Sequence, residues 1–283
     1  MSGLYEEIVY SVEDPVATIT LNRPRYLNAW TQRMAAEVRH AVAQAESDPS
    51  VVGIIITGAG RAFCAGADMN NLSTLTEGGR LESDFSALEV RRADPLPDDF
   101  SGEYTYLLAV KKPIIAAING PIAGMAVPIA LCCDIRFMAE DAPLVTAFAE
   151  RGLVAEWGIS WLLPRIVGPG RALDLLFSSR RVSGAEAAAM GLVNAAMPSD
   201  EVLTRSRDYL RDVAARCAPQ SFAIMKRQVY EQLTASLGPS EREAQRLMIE
   251  SFGRPDFKEG VSSFLEKRAP RFGRVGDESP DGS

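Results

Sequence analysis

Two glycine-bearing segments follow apolar runs and could together stabilise a developing negative charge. The first is residues 57–69, TGAGRAFCAGADM, which follow the apolar run 51–56. The second is residues 112–134, where Gly120 and Gly124 separate a β-branched run from an apolar segment of small residues. Glycine lets the backbone approach a ligand, and free N–H groups at a helix start carry partial positive charge. If each turn offers one N–H to the same oxygen, the pair forms an oxyanion hole.

Each turn taken alone is also compatible with an ordinary loop, because short glycine motifs arise often by chance. Two such turns, each placed directly after a predicted strand, are more specific than either one. From the residues alone, the two turns could be ordinary loops or could form an oxyanion hole.

The cysteines and the single histidine do not suggest a nucleophilic or metal centre. Cys64, Cys132, Cys133 and Cys217 show no C-x-x-C spacing. Cys64 lies in the first glycine turn, but His40 lies far off in a predicted amphipathic helix, which disfavours a Cys–His pair. We therefore expect structural thiols, a solvated His40 and no metal site.

The elements that must position these turns alternate between strands and helices, which predicts an α/β fold. Apolar runs predict strands over residues 8–10, 16–21, 51–56, 113–118 and 135–138. Apolar periodicity predicts helices over residues 32–45, 201–216 and 240–252.

The chain is expected to divide into two regions. No convincing strand follows Pro198, so we expect a core over residues 1–198 and a helical region over residues 199–283. Within the core, residues 71–100 mix glycine, proline and acidic residues, which predicts an irregular insertion that is functional or mobile.

Composition excludes several classes of protein. With 283 residues, of which 47% are hydrophobic, the chain can bury a large core. A net charge of −7 and a pI near 5.0 disfavour nonspecific attraction to nucleic acid or to an anionic membrane. The acidic N-terminus lacks the pattern of a secretion signal, and no apolar stretch is long enough for a membrane span, so we expect a cytoplasmic protein.

Four motifs together resemble the crotonase superfamily, the enoyl-CoA hydratases and isomerases. They are LNRPRYLNA at 21–29, AGADM at 65–69, the second glycine turn, and FLEKRAPRF at 264–272, so the resemblance covers nearly the whole chain. It implies a crotonase (ClpP-like) α/β spiral of repeated ββα units with a C-terminal helical trimerisation region. It also implies an acyl-CoA thioester substrate, no cofactor beyond the coenzyme A of that substrate, and a homotrimer or a dimer of trimers.

The resemblance also implies roles for individual residues. The two hole donors are the N–H groups of Ala67 and Met125, although the family often has glycine where this chain has Met125. Arg25 and Lys267 match positions that bind the phosphates and adenine end of coenzyme A, the lysine often from a neighbouring subunit; without the resemblance, both could be solvated charges. The remaining predicted substrate-binding residues lie in or beside the AGADM turn: Ala65, Asp68, Met69 and Asn70. Asn70 departs from the lysine common after that turn, and the family uses the insertion at 71–100 to cover the acyl pocket.

The acid and base of the usual hydratases are missing. Their two glutamates match Pro128 and Phe148 here, and neither side chain can transfer a proton. Glu156 is the remaining candidate, because several relatives carry an acidic residue at this place and Trp157 and the following apolar run would desolvate it. Its alternative role is a helix N-terminal carboxylate that accepts from backbone donors. Glu150 is a weaker candidate.

One plausible base favours double-bond isomerisation over hydration, because an isomerase needs only one group that removes a proton and returns it to another carbon. A true hydratase with a second acid or base from residues 71–100 stays open. So does a noncatalytic acyl-CoA-binding protein, which the two missing glutamates would allow.

Overall fold

The computed structural model describes residues 4–68, 85–90, 96 and 98–275, and two sheets form its centre. The strands are β1 (Ile8–Glu13), β2 (Val16–Leu21), β3 (Gly53–Gly58), β4 (Ile114–Ile118), β5 (Ile122–Ala123), β6 (Ile135–Ala139), β7 (Pro143–Val145), β8 (Val182–Ser183) and β9 (Ala195–Met197). The helices are α1 (Gln32–Ser47), α2 (Tyr106–Ala109), α3 (Ala126–Leu131), α4 (Ile159–Val167), α5 (Pro169–Ser178), α6 (Gly184–Ala189), α7 (Val202–Arg216), α8 (Pro219–Gln232), α9 (Leu237–Phe252) and α10 (Pro255–Leu265).

The larger sheet has six strands in the order β1-β2-β3-β4-β6-β9. Within this sheet, only the β1–β2 pair is antiparallel. The five strands from β2 to β9 therefore run parallel and end at one common edge. Every residue of β3 and β4 is buried, as expected for parallel strands that are covered on both faces. The smaller sheet, β5-β7-β8, receives the chain directly after β4. The strand order therefore brings the segments that follow β2, β3 and β4 to one edge.

Most predicted strands match the structure, and the differences have local causes. The predicted strand 51–56 lies at Gly53–Gly58 instead, because pairing with β2 begins at Val16 opposite Gly53 and continues to Gly58. The short strands β5, β7, β8 and β9 were not predicted, since two or three residues carry no readable alternation. The predicted insertion at 71–100 lies largely outside the described residues.

Helix α1 covers the sheet with the apolar face that its periodicity predicts. Thr31 caps the helix by accepting a hydrogen bond from the Met34 N–H at 3.0 Å. Met34, Val38 and Val42 are each at most 1% exposed. His40, on the same helix, is half-buried and has its Nδ1 2.7 Å from the Tyr5 hydroxyl, so the expected fully solvated histidine was wrong.

A buried lysine, Lys112, donates hydrogen bonds to backbone carbonyls at the C-terminal end of α1. Lys112 is 1% exposed, and its Nζ donates to the Ala45 carbonyl at 2.9 Å and to the Asp48 carbonyl at 2.5 Å. Four residues after Ala45 comes Pro49, which has no N–H, so the usual helical donor to Ala45 is absent. Burial lowers the pKa of Lys112 to about 8.

Replacement of Lys112 by methionine should destabilise the protein. The substitution keeps most of the side-chain volume but leaves the buried Ala45 carbonyl without its donor, which typically costs about 1–3 kcal/mol. The Asp48 carbonyl still accepts from the Val51 N–H at 3.0 Å. Chemical denaturation at pH 7 measures the change in the free energy of unfolding. Lys111→Met, at the exposed neighbouring position, serves as the control and should change stability by less than about 0.5 kcal/mol.

The difference in the free energy of unfolding between the wild type and Lys112→Met should also depend on pH. The pKa of Lys112 is lower in the folded protein than the usual 10.5, so the unfolded chain binds more protons between about pH 8 and 10.5. The contribution of Lys112 to stability should therefore rise with pH across that window. A difference between wild type and Lys112→Met that falls over this range would contradict the assignment.

A partly buried ion pair connects the C-terminal helices to the core. Lys226 on α8 lies 2.8 Å from Oδ2 of Asp134, which directly precedes β6. Tyr230, one turn later, donates to Oδ1 of the same carboxylate at 3.0 Å. Among the described helices, none is both long and apolar enough to cross a membrane.

Candidate active site

The turn after β2 is the first of three that meet at the carboxyl edge of the sheet. Asn28 is fully buried and adopts a positive φ of 56°. Its side-chain amide donates to the carbonyls of Ala59 and Ala62 at 2.9 and 2.8 Å, and its Oδ1 accepts from the Arg23 N–H at 2.9 Å. This one side chain therefore joins the turn after β2 to the turn after β3.

The two glycine turns are joined directly by backbone pairing. Cys64 pairs with Ile122 as an isolated parallel bridge, and the Ala123 N–H donates to the Cys64 carbonyl at 3.1 Å. The approach is close, because a β-carbon on Gly66 would lie 3.0 Å from the Ala123 carbonyl oxygen. The sequence prediction that the two turns act at one place therefore has a geometric basis.

The Ala67 N–H points away from Trp30, the residue with which Ala67 forms an isolated parallel bridge. The Trp30 N–H donates to the Gly66 carbonyl at 2.8 Å, and the Asp68 N–H donates to the Trp30 carbonyl at 3.0 Å. In such a parallel bridge, the middle residue directs its own N–H to the opposite side. Within the described part of the chain, the Ala67 N–H donates to no residue.

Met125 offers the second N–H, immediately before α3. Gly124 adopts a positive φ of 53°, and its N–H donates to the Val145 carbonyl at 2.9 Å, which fixes the turn against β7. Among the described residues, no acceptor is found for the Met125 N–H. The Met125 side chain is half-buried and packs against the core. The available donors at Ala67 and Met125 thus follow two glycines whose turns touch.

A partly buried ion pair holds the Ala67 turn in place. Arg23 Nη1 lies 2.8 Å from Oδ2 of Asp68 and donates to the Ala29 carbonyl at 2.6 Å, while Arg23 Nε lies 3.1 Å from Glu7. Asp68 is 5% exposed. The Asp68 side chain therefore has a structural partner, and its N–H is already bonded to the Trp30 carbonyl. No local pattern in the sequence marks Arg23 as part of the site, since its partners Glu7 and Asp68 lie far apart in the chain.

The other predicted substrate-binding residues are less enclosed. Ala65 and Arg25 are exposed at the same edge of the sheet, one in each of two neighbouring turns. Lys267 is exposed at the end of α10, and its side chain forms no hydrogen bond or ion pair within the described residues. Met69 and Asn70 lie outside the described residues.

Glu156 lies between a short 3-10 helix and the start of α4. Its residue is half-buried, and its carboxylate has neither a hydrogen bond nor an ion pair with any residue that the structure describes. Helix α4 is preceded by Gly158 and has no side-chain cap, so Glu156 does not cap it. Trp157 is 42% exposed, which makes the surroundings of Glu156 more open in the single chain than the sequence suggested.

The helices and aromatic rings connect Glu156 to the two glycine turns. Helix α4 packs against α3, so Glu156 and Met125 precede two contacting helices. The ring of Tyr104 contacts Trp157 edge-on at 5.2 Å between centroids, and Trp30 at 5.8 Å. Trp30 in turn pairs with Ala67. No sequence pattern predicts a role for Tyr104, which follows the irregular insertion at 71–100.

The remaining candidates for chemistry are poorly placed. Glu150 is exposed, with its carboxylate 4.0 Å from Arg151. Pro128 and Phe148 are buried and lack titratable groups. Cys64 is fully buried, and burial raises the pKa of its thiol to about 12, which removes it as a nucleophile at neutral pH.

A parallel sheet that carries two joined glycine turns at its carboxyl edge, followed by a helical C-terminal region, defines the crotonase class of α/β enzymes. The enoyl-CoA hydratase/isomerase family model matches residues 11–275, and the chain belongs to that family.

Named relatives cover almost the whole chain. A probable enoyl-CoA hydratase, echA8, of Mycobacterium tuberculosis is 33% identical over 95% of this chain and 98% of its own length. The 1,2-epoxyphenylacetyl-CoA isomerase of Escherichia coli is 34% identical over 95% of this chain and 99% of its own. The crystal structure of an enoyl-CoA hydratase from Bacillus anthracis is similar with a TM-score of 0.82 and 25% identity, over 96% of this chain and 100% of that one.

Proposed function

We propose that this enzyme acts on acyl-CoA thioesters and shifts a double bond in preference to hydrating it. One observation carries the proposal: Glu156 is a carboxylate without a hydrogen bond or ion pair among the described residues. The family resemblance matches Pro128 and Phe148, which cannot transfer a proton, to the positions of the two hydratase glutamates. The names of the relatives include both hydratases and an isomerase, so the family supports either reaction.

The proposed mechanism uses one base and two backbone donors. The Glu156 carboxylate removes a proton from C2 of a 3-enoyl-CoA, and the electrons of that C–H bond delocalise onto the thioester oxygen. The N–H groups of Ala67 and Met125 stabilise the resulting dienolate oxygen, a contribution that is often the largest in such reactions. The protonated Glu156 then returns the proton to C4, which yields the 2-enoyl thioester and regenerates the carboxylate.

Hydration would require more from the same residues. Water must be held and deprotonated at C3 while a proton is delivered to C2, and two carboxylates share this work in the usual hydratases. A hydratase with an unusual second group is the second candidate function, favoured by the number of relatives that are named hydratases. The relatives' names as enzymes count against a noncatalytic binding protein.

A substrate panel tests the proposal. Purified enzyme is offered 3-enoyl-CoA and trans-2-enoyl-CoA thioesters of several chain lengths, and products are separated by chromatography. We expect conversion of the 3-enoyl to the 2-enoyl thioester and little or no 3-hydroxyacyl product. Fast hydration without isomerisation would favour the hydratase over the isomerase. If no thioester bound at all, both candidate functions would be contradicted.

The proposal includes the assembly and the coenzyme A contacts. We propose that residues 199–283 mediate a homotrimer or a dimer of trimers, in which Arg25 and a neighbouring subunit's Lys267 bind the phosphates of coenzyme A. No separate cofactor is needed for this chemistry. Support comes from many exposed large apolar side chains on the C-terminal helices, which commonly mark interaction surfaces. They are Met225, Val229, Leu233, Leu237, Met248, Ile249, Phe252, Phe257, Val261, Phe264 and Leu265.

A charged residue in this apolar surface should weaken the assembly. Phe264 is 82% exposed in the single chain, so Phe264→Asp should leave the fold intact while placing a charge in the proposed interface. Light scattering should report a trimer or hexamer for the wild type and a smaller species for the variant. Val9→Asp, at an exposed apolar position on β1, is the control and should keep the wild-type mass. A monomeric wild-type protein would contradict the proposed assembly.

A further inference from the structure

The guanidinium of Arg23 joins the two chain segments that meet at the first proposed oxyanion donor. Its Nη1 lies 2.8 Å from Oδ2 of Asp68 and donates to the Ala29 carbonyl at 2.6 Å. Ala29 precedes Trp30 in the chain, and Asp68 follows Ala67. One nitrogen therefore connects both segments of the bridge between Trp30 and Ala67.

The bridge that orients the Ala67 N–H is short. It consists of one hydrogen bond from the Trp30 N–H to the Gly66 carbonyl and one from the Asp68 N–H to the Trp30 carbonyl. The bridge is isolated and lies outside the strands of both sheets. The contacts of Arg23 with both segments are therefore a large addition to the bonds that set the direction of the Ala67 N–H.

Glu7 orients the Arg23 guanidinium from another side. Arg23 Nε lies 3.1 Å from Oε1 of Glu7, and Oε2 of Glu7 accepts from the hydroxyl of Thr31, the N-cap of α1. The Arg23 side chain is 17% exposed. Because a guanidinium is planar and carries its donors in a fixed fork, directing Nε at Glu7 also sets the direction of Nη1.

Building on the proposed acyl-CoA chemistry, we propose that Arg23 is a positioning residue of the reaction, which holds the Ala67 N–H towards the thioester oxygen of the substrate. An oxyanion donor is most effective when it is already directed at the place where charge develops. The oxygen carries less charge in the ground state, so a misdirected donor affects the transition state more than substrate binding. Arg23 acts through the Ala67 turn and does not itself contact the substrate.

Replacement of Arg23 by methionine tests this inference. The substitution removes the charged donors and keeps a long side chain. We expect kcat with a 3-enoyl-CoA to fall by about 10- to 10²-fold, because small displacements of a catalytic group have effects of this size. The dissociation constant of hexanoyl-CoA, a saturated thioester that cannot isomerise, should change by less than about 3-fold in calorimetry.

Arg33→Met is the matched control for the loss of a structural ion pair. Arg33 lies 2.6 Å from Glu6 and 3.0 Å from Glu37, so it also joins two carboxylates, and neither belongs to the Ala67 turn. Thermal unfolding should show a loss of stability in both variants. Only Arg23→Met should lose kcat, and Arg33→Met should stay within about 3-fold of the wild type.

A double-mutant cycle tests whether Arg23 acts through Asp68. Asp68→Asn keeps the size of the side chain and removes the charge of the ion pair, so it should lower kcat by itself. Added to Arg23→Met, it should lower kcat little further, because both substitutions remove the same contact. Fully additive losses of kcat would overturn the inference.

The outcomes separate this inference from the proposed function. Wild-type kcat in Arg23→Met, equal losses of rate and affinity in that variant, or an equal loss of kcat in Arg33→Met overturns the inference, and the acyl-CoA function stands. If Arg23→Met does not fold, Arg23→Lys takes its place, since one ammonium cannot hold three acceptors in the geometry of a guanidinium. Wild-type kcat in Arg23→Lys then overturns the inference. A wild type that converts no thioester overturns the proposed function and this inference together.

Discussion

Glu156→Gln is expected to lower the rate of double-bond isomerisation by about 10²- to 10⁴-fold, the usual effect of removing one general acid or base. Glutamine keeps the size of the side chain but cannot take a proton from C2 or return one to C4. The carboxylate has no hydrogen bond or ion pair among the described residues, so the substitution removes none of these from that part of the chain. Steady-state assays with a 3-enoyl-CoA measure the loss.

Two further measurements distinguish catalysis from structure. Thermal unfolding and the affinity for hexanoyl-CoA should be nearly unchanged in Glu156→Gln, because neither depends on proton transfer. Glu150→Gln is the matched control, since Glu150 is an exposed carboxylate in the same segment, and it should keep activity within about 3-fold of the wild type. Undiminished turnover in Glu156→Gln would remove Glu156 from the mechanism.

The frame of the fold could be predicted because it depends on local patterns. Ile54, Ile55 and Ile56 form a continuous β-branched run, and such a run is typical of a strand buried on both faces. The glycine turns could also be located, because the turn of residues 57–69 directly follows that run. Helix α1 was readable for the same reason, since one heptad-like apolar face spans its length.

The contacts that shape the candidate site could not be predicted in this way. Asn28 joins turns that are more than thirty residues apart, as its bond to Ala59 spans 31 positions. Arg23 and Asp68 are 45 positions apart, and Tyr104 meets Trp30 from beside an insertion without a clear pattern. Periodicity describes how one segment faces the core, and it contains no information about which polar side chain of another segment will meet it.

The expected surroundings of Glu156 illustrate the same limit. Its neighbours in sequence, Trp157 and the apolar run of α4, predicted an enclosed carboxylate, yet Trp157 contacts the ring of Tyr104 and stays 42% exposed. Trp157 adopts a positive φ of 56°, an unusual conformation for a bulky residue. Strained backbone of this kind clusters at functional sites, which is consistent with the role proposed for Glu156.

Gly66→Ala should lower kcat by about 10²- to 10³-fold, the usual effect of losing one oxyanion-hole donor. Gly66 has a φ of +97°, and an added β-carbon would lie 3.0 Å from the Ala123 carbonyl oxygen, so the backbone of one turn must shift. That shift reorients the N–H of Ala67 relative to the N–H of Met125. Rates with a 3-enoyl-CoA, together with the affinity for hexanoyl-CoA, separate an effect on the transition state from one on binding.

Gly191→Ala is the matched control for backbone strain. Gly191 has a φ of +80°, but no atom lies within 4 Å of the position that a β-carbon would take. Both variants place alanine at a positive φ, which costs about 1–2 kcal/mol. Gly66→Ala adds the close contact with Ala123, so it should lose at least as much stability as Gly191→Ala. Only Gly66→Ala should lose activity, because only in that variant does the backbone shift move the Ala67 N–H, a proposed oxyanion donor. Equal activity in the two variants would show that the oxyanion is stabilised by groups other than the Ala67 N–H.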